Sequence, residues 1–330
     1  MRGSIVEIRR IKQQDISQVV LLWNQQQEEG IYLYEPLTSV SFNKLFMEVG
    51  PSLSKLNYVC VDQGEVIGFI NGCYQEETET GYVTFVLVKE EYKRQGIGTK
   101  LLKEIEFHLG EIQSLKKCDL IFFNPINLSW MIPGTERHIH PNAPGVDVKS
   151  DAYLFFKNNG YHDVVYQNSY YRLLSEFEYS DDICQRIEVL NKKGMHITSY
   201  DPKLHHGFLE LLEDLNNPLW IDIIMENINR VDGGDPVLIV EREGKVCGFT
   251  GPLRVEASKR GYFCGIGIHS AYRQHGAGKV LFSALCKGLK EIGADYMSLF
   301  TGENNPARHI YESAQFKVVR TWADMRKELK

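Results

Sequence analysis

The chain has 330 residues, a net charge of −6, 43% hydrophobic and 24% charged residues. That length favours two domains, and the acidic balance excludes a dominant nucleic-acid footprint. No apolar run reaches bilayer-spanning length, and Met1 to Glu7 carries no long apolar leader core, so neither membrane insertion nor secretion is expected.

Val6 to Arg10 reads as a short alternating strand, and Asp15 can cap a helix running through Val19, Leu22 and Trp23. Residues 30–58 are irregular. Tyr32, Tyr34, Phe42, Phe46 and Met47 suggest short helices packed over a cleft. Asn57 to Asp62, Gln63-Gly64 and Val66 to Cys73 form a hairpin, and Gly81 to Val88 is a third strand. It feeds a turn, Lys93-Arg94-Gln95-Gly96-Ile97-Gly98, and a helix from Thr99 that lines up Leu101, Leu102, Ile105 and Leu109. Asp119 to Phe123 is the next strand.

The segment 124–150 follows, rich in proline and carrying Trp130, His138 and His140. It reads as a loop over a binding cleft or as a subunit contact. His138 and His140 lack the Cys, Asp or Glu spacing that completes a metal site, so no metal is expected. The first half closes with a helix from Asp151 to Asn159, Gly160 as its C-cap, and a strand from Val164 to Leu173. Ser175 to Asp182 is a polar linker.

The second half repeats the first. Gly276 and Gly278 stand where Gly96 and Gly98 do (276 − 96 = 180), and Gly248 stands where Gly68 does (248 − 68 = 180). Two separated motifs at one offset indicate two copies of one domain, divided here as 1–178 and 179–330. In the second copy Leu204 to Leu215 is the first helix, Val237 to Glu241 and Val246 to Val255 the hairpin, and Gly261 to Ile268 the strand before the turn. Tyr296 to Phe300, a helix from Ala307 to Ala314, and a strand from Lys317 to Trp322 complete it. From turn to closing helix the first copy takes 156 − 96 = 60 residues and the second 311 − 276 = 35. The difference of 25 is the loop at 124–150.

Glycines at the mouth of a helix let backbone N–H groups approach an anion, and the helix dipole favours it. Each turn is therefore a candidate phosphate or pyrophosphate cradle, or else a loop that only reverses the chain. Seven cysteines form no CxxC pair, and several lie inside apolar runs. They read as reduced, buried thiols of a cytoplasmic protein.

The order of elements resembles the GNAT N-acetyltransferase superfamily. Its turn, Gln/Arg-x-x-Gly-x-Gly/Ala, is met by Arg273-Gln274-His275-Gly276-Ala277-Gly278, and by the first copy with Lys93 in the leading slot. Its closing pattern is met by Asn304 through Tyr311-Glu312 to Phe316, with Gln315 replacing a glycine; the first copy has Phe156 in place of Tyr311. The resemblance implies an α+β fold of two tandem domains, each a mostly antiparallel sheet flanked by helices. It implies that the turn amides hold the pyrophosphate of acetyl-CoA. The strand residues Val86 and Val88, and Ile266 and Ile268, would then lie along the thioester arm. Asn304 would bind that arm or cap the last helix.

Transfer would proceed by direct attack of a primary amine, from a small molecule or a peptide. Tyr311 would be the acid toward the departing sulfur, or a core aromatic. Glu303 would be the base, or a solvated loop carboxylate. Cys264 reads as a packed residue. Because Tyr311 and Arg273 have no counterparts in the first copy, the second copy is the expected catalytic one. A non-catalytic acyl-CoA-binding or regulatory protein is the alternative. The segments 30–47 and 124–150 could instead serve assembly, for example a homodimer.

Overall fold

The computed structural model describes residues 6–48, 50 and 52–329, so most of the stretch read for a leader lies outside the described residues. Contacts divide the chain into two compact units, Met1–Asn168 with Arg320–Lys330, and Ser169–Val319. The division expected after residue 178 misses an exchange: the end of the last strand belongs to the first unit.

In the first unit, β1 (Glu7–Arg10), β2 (Leu53–Asp62), β3 (Glu65–Gln75) and β4 (Thr80–Val88) form an antiparallel meander. One face carries α1 (Ile16–Glu28) and α2 (Ser39–Phe42); the other carries α3 (Ile97–Gly110). The α1 side chains Ile16, Val19, Leu22 and Trp23 are buried at helical spacing against Val59, Phe69 and Phe85. Each such side chain contributes roughly 1.5–3 kcal/mol by leaving water. Asp15 does not cap α1 with its carboxylate. It pairs with both Arg9 guanidinium nitrogens at 2.7 and 2.9 Å and accepts from Lys12 N at 2.7 Å, because β1 brings the arginine within reach.

β4 pairs in parallel with β5 (Lys117–Leu120), but only from Thr80–Lys117 to Tyr82–Asp119. The strand expected over 119–123 thus ends at Leu120, and the chain turns away. The loop that follows contains three two-residue strands, β6 (Trp130–Met131), β7 (Ile139–His140) and β8 (Val146–Asp147). Next come α4 (Asp151–Asn158) and β9 (His162–Leu173).

In the second unit, α5 (Asp181–Lys192), β10 (His196–Ser199), α6 (Phe208–Leu215), α7 (Pro218–Ile228), β11 (Leu238–Arg242) and β12 (Lys245–Thr250) come first. Nothing in the sequence reading anticipated α7, although Asn217-Pro218 is a start signal: the Asn217 side chain accepts from Trp220 N, and proline sits in the first turn. β12 stops before Pro252, which has no N–H to give the ladder. The strand expected over 261–268 is broken into β13 (Arg260–Gly261) and β14 (Ile266–Ile268). Then come α8 (Ala277–Glu291), β15 (Tyr296–Gly302), α9 (Arg308–Ser313) and β16 (Lys317–Glu328). β10, β11, β12 and β14 make one antiparallel sheet; β15 lies between β13 and β9.

The far end of β16 closes the sheet of the first unit. Met325 to Glu328 pair with Leu120 to Lys117, and Trp322 and Ala323 pair with Asp147 and Val146. Arg326 grips the buried Asp119 through two bonds of 2.7 Å. Beside them Asp324 is buried, accepts from Gln167 Nε2 at 3.1 Å, and keeps one oxygen without a partner. Burial pushes its carboxyl up to about 6; the Gln167 bond opposes this, and the charge of Asp119 adds to it. The folded protein thus holds this proton more tightly than the unfolded chain. The stabilisation is complete below about pH 4 and is lost as the pH climbs through about 6. We expect Asp324→Asn to raise stability at pH 7.5 by about 1–3 kcal/mol and to leave it unchanged at pH 4. Thermal unfolding of both proteins at the two pH values tests this; equal shifts at both would rule it out.

Candidate functional site

The two turns share one backbone geometry. Arg94 and Gly96 have φ of 61° and 80°; Gln274 and Gly276, at the same positions of the repeat, have 71° and 76°. α3 begins at Ile97 and α8 at Ala277, so the amides of each first helical turn have no helical carbonyl behind them. An anion that approaches there meets N–H donors and no β-carbon from Gly96, around which nothing lies within 4 Å. The side chains differ. Lys93 pairs with Glu90 at 2.6 Å, and Gln95 donates to Glu91 O at 2.8 Å. Arg273 donates to Ile268 O at 3.0 Å, and His275 Nδ1 lies 3.0 Å from Lys193 Nζ. Arg186 of α5 leans over Gly276: a β-carbon there would meet its guanidinium at 2.8 Å.

What lies beside each turn differs more. In the first unit the strands part beyond Tyr82 and Asp119 and open a cavity of about 440 Å³. Gly96, Gly98 and Thr99 border it at one end, and Val83 to Val88 run along it, Val86 and Val88 among them. Register slips between Asn71 and Gly72, so Asn71 faces Phe85, Gly72 faces Val83, and Thr84 bulges. Asn124 holds the bulge, donating to Thr84 Oγ1 at 3.2 Å and to Val83 O at 3.4 Å. Gln26, buried on α1, donates to Val88 O at 2.7 Å. Tyr32, Tyr34, Asp147, Asp151 and Trp322 also line it. The residues of 124–150 that border this cavity include Ile126, Leu128, Gly145 and Val146.

In the second unit the corresponding strand carries different side chains. Phe263 stands at the position of Val83, Cys264 at that of Thr84 and Gly265 at that of Phe85, all 180 apart. A β-carbon on Gly265 would lie 2.4 Å from the ring of Trp220, whose Nε1 donates to Cys264 O at 2.9 Å. Tyr311 is 5% exposed and packs on Phe282, Tyr170 and Phe263 at 5.0, 5.9 and 6.0 Å. Burial raises its phenol well above the ordinary value. These contacts place its ring in the aromatic cluster of this unit. Glu303 lies past the end of β15, partly exposed. Asn304 is exposed; its neighbour Asn305 accepts from Ala307 N at 3.0 Å in the turn before α9, whose N-cap is Ala307 with no side-chain cap. Ile266 is buried and Ile268 partly exposed on β14. Burial pushes the Cys264 thiol up to about 12, which leaves no thiolate for nucleophilic chemistry. A cavity of about 570 Å³ in this unit lies among α5, β10 and α8 and borders neither Gly276 nor Gly278.

Two sheets with flanking helices, each feeding a glycine turn at a helix mouth, define a tandem acyltransferase-type fold. The family model for the acetyltransferase (GNAT) family matches residues 22–127 and 202–316, and the chain belongs to that family. No curated protein matches the sequence. Solved structures share the fold at low identity. A GCN5-related glucosamine N-acetyltransferase region of a fungal multi-domain β-N-acetylglucosaminidase is 16% identical, with a TM-score of 0.69 over 99% of this chain. This chain spans 38% of that protein. A GCN5-related N-acetyltransferase from Sphaerobacter thermophilus is 14% identical, with a TM-score of 0.60 over 98% of this chain and 96% of its own. A tandem GNAT protein from the clavulanic acid biosynthesis pathway, solved without AcCoA, is 14% identical, with a TM-score of 0.59 over 99% of both chains. Among the described residues no helix is long and apolar enough to cross a membrane.

The family supports acyl-CoA-dependent acetyl transfer in general. With Tyr311 inside an aromatic core, Tyr311→Phe is expected to leave steady-state acetyl transfer within about twofold of wild type, well below the loss of a general acid, roughly 10²–10⁴-fold. A drop of that larger size would return Tyr311 to the reaction.

Proposed function

We propose that the chain is an acetyl-CoA-dependent N-acetyltransferase for a primary amine, and that the first unit carries the working site. The observation that supports this is the cavity joining the Gly96 turn to the bulged strand and the loop at 124–150. Neither of the two cavities described above borders the second turn, and Trp220, Phe263 and Tyr311 crowd the strand that leads to it. The reading departs from the motif-based expectation, which favours Arg273 and Tyr311.

The residues present fit an acyl-CoA. Amides of Ile97, Gly98 and Thr99 would face the pyrophosphate, with Arg94 as a charged neighbour on the cavity wall. Val86 and Val88 would flank the pantetheine arm. The bound thioester supplies an activated acyl carbon. The chain's own part is to hold the edge of β4 free of a strand partner, so that its backbone N–H groups can turn toward a developing oxyanion. Asn124 and Gln26 fix that edge by tying down Thr84, Val83 and Val88. The apolar walls keep water from the thioester and hold the amine beside it.

The deciding experiment is a calorimetric titration of acetyl-CoA with a count of sites per chain. We expect one site, lost in Gly96→Glu and kept in Gly276→Glu. Both substitutions place a side chain at a positive φ, so each controls for the backbone strain of the other. Two sites, or loss only in the Gly276 variant, would defeat the assignment to the first unit. Binding of acetyl-CoA without turnover of any amine in a broad panel would favour a regulatory acyl-CoA-binding protein.

A further inference from the structure

Asp147 stands on β8, where the loop at 124–150 returns to pair with β16. Trp322 is its cross-strand partner, and both border the cavity of the first unit. Cross-strand partners share one face of a sheet, and every second residue of a strand returns to that face. Arg320, two residues before Trp322 on β16, is therefore on the face that carries Trp322 and Asp147. Its side chain is only 12% exposed, and its Nε is buried without a hydrogen-bond partner. That nitrogen lies 3.6 Å from one Asp147 oxygen, too far for a hydrogen bond. The other Asp147 oxygen accepts from Lys149 N at 2.9 Å. Buried donors nearly always find acceptors, so a buried guanidinium with unspent N–H groups beside a cavity asks for a ligand that answers them. The group that matches its planar fork is a carboxylate. A phosphate also fits the fork, but it would bring a second negative charge up to Asp147. The cavity's other cations are differently placed. Lys93 pairs with Glu90 at 2.6 Å and lies 3.9 Å from Asp151, and Arg94 is exposed. Both belong to the glycine turn, where the phosphates of an acyl-CoA are expected.

We propose that the acceptor substrate is an amino acid, and that Arg320 receives its carboxylate while its amine is the group acetylated. This rests on the assignment of the working site to the first unit. Arg320 is then the specificity-determining residue, and Asp147 a positioning residue that holds the Nε side of the guanidinium. With Nε turned to Asp147, the two terminal nitrogens are the ones left for a bidentate acceptor. An amine without a carboxylate would leave these donors unanswered in a desolvated place, which is the costly case for a buried polar group. Discrimination of this kind, by a partner missed, is stronger than discrimination by bulk alone.

The test uses the full chain with acetyl-CoA and pairs of probes that differ by one carboxylate: leucine and isoamylamine, phenylalanine and 2-phenylethylamine, serine and ethanolamine. O-phosphoethanolamine is the phosphate control, and calorimetry follows acetyl-CoA binding. In at least one pair the amino acid should have a kcat/KM at least about tenfold higher, the lower bound for a site built to pair with a missing group. Arg320→Gln should raise KM for that amino acid about 10²-fold, as loss of one partner from a buried charge pair does. It should erase the preference within the pair and leave acetyl-CoA affinity intact, and Arg320→Lys should restore part of the preference. A ratio below about tenfold in every pair overturns the proposal in the wild-type protein, with no variant needed. So does a preference for O-phosphoethanolamine over serine, or turnover of no probe while acetyl-CoA binds. An amino-acid preference retained in Arg320→Gln overturns it too, because a purely structural arginine would slow both members of a pair alike. Failure of acetyl-CoA to bind the wild-type first unit would instead overturn the site assignment beneath it.

Discussion

The first unit depends on a pairing that stops early. β4 and β5 run in parallel for three residue pairs and then separate, leaving the edge of β4 without its neighbour from Val83 onward. Unpaired backbone groups in a protein interior are costly unless something answers them. The structure answers some of them with side chains, Asn124 at Val83 and Thr84, and Gln26 at Val88. The remainder face a cavity. A sheet that parts in this way needs support on both sides of the split. β16 supplies it on the β5 side, through backbone pairing and the Arg326–Asp119 clamp. On the other side, the rings of Trp23, Tyr32, Tyr34 and Phe85 pack with centroids 4.1 to 5.9 Å apart.

The second unit carries different side chains at the corresponding positions. Phe263 takes more room than Val83, while Gly265 takes less than Phe85 and admits the indole of Trp220 from α7. The strand breaks at Tyr262 to Gly265, and Tyr311 joins the resulting aromatic core. Interiors pack to near-crystalline density, so a ring that enters such a space excludes a ligand from it. The closing motif keeps its tyrosine in this copy, with the ring buried.

Local and repeated features were legible in the sequence. The 180-residue offset gave two copies, and the alternation of Val59 to Val61 and Val66 to Phe69 gave the hairpin that places β4. Gly96 and Gly276 marked both helix mouths. What escaped was long-range. No local pattern told that Met325 pairs with Leu120, or that Asp147 and Gly96 border one cavity. Asp15 was read as a cap because its partner Arg9 becomes a neighbour only through β1. Trp220 could have been caught in part: Asn217-Pro218 announces a helix, but not that its third residue plugs a neighbouring strand.

The mismatch between motif and cavity bears on what a glycine turn means. The positive φ at Gln274 and Gly276 is what reverses the chain from β14 into α8, and that reversal is needed whether or not an anion binds. A copy that loses its ligand still has to make the turn, so selection on the fold alone can keep the glycines. The residues that answer to the ligand are those beside the turn, where bulk decides whether an arm can enter. Val83 and Phe263, or Phe85 and Gly265 with Trp220, therefore separate an open copy from a filled one more sharply than any residue of the turn itself. On that reasoning the departure at Lys93 weighs little against the first copy, since the backbone amides, not the leading side chain, form the cradle.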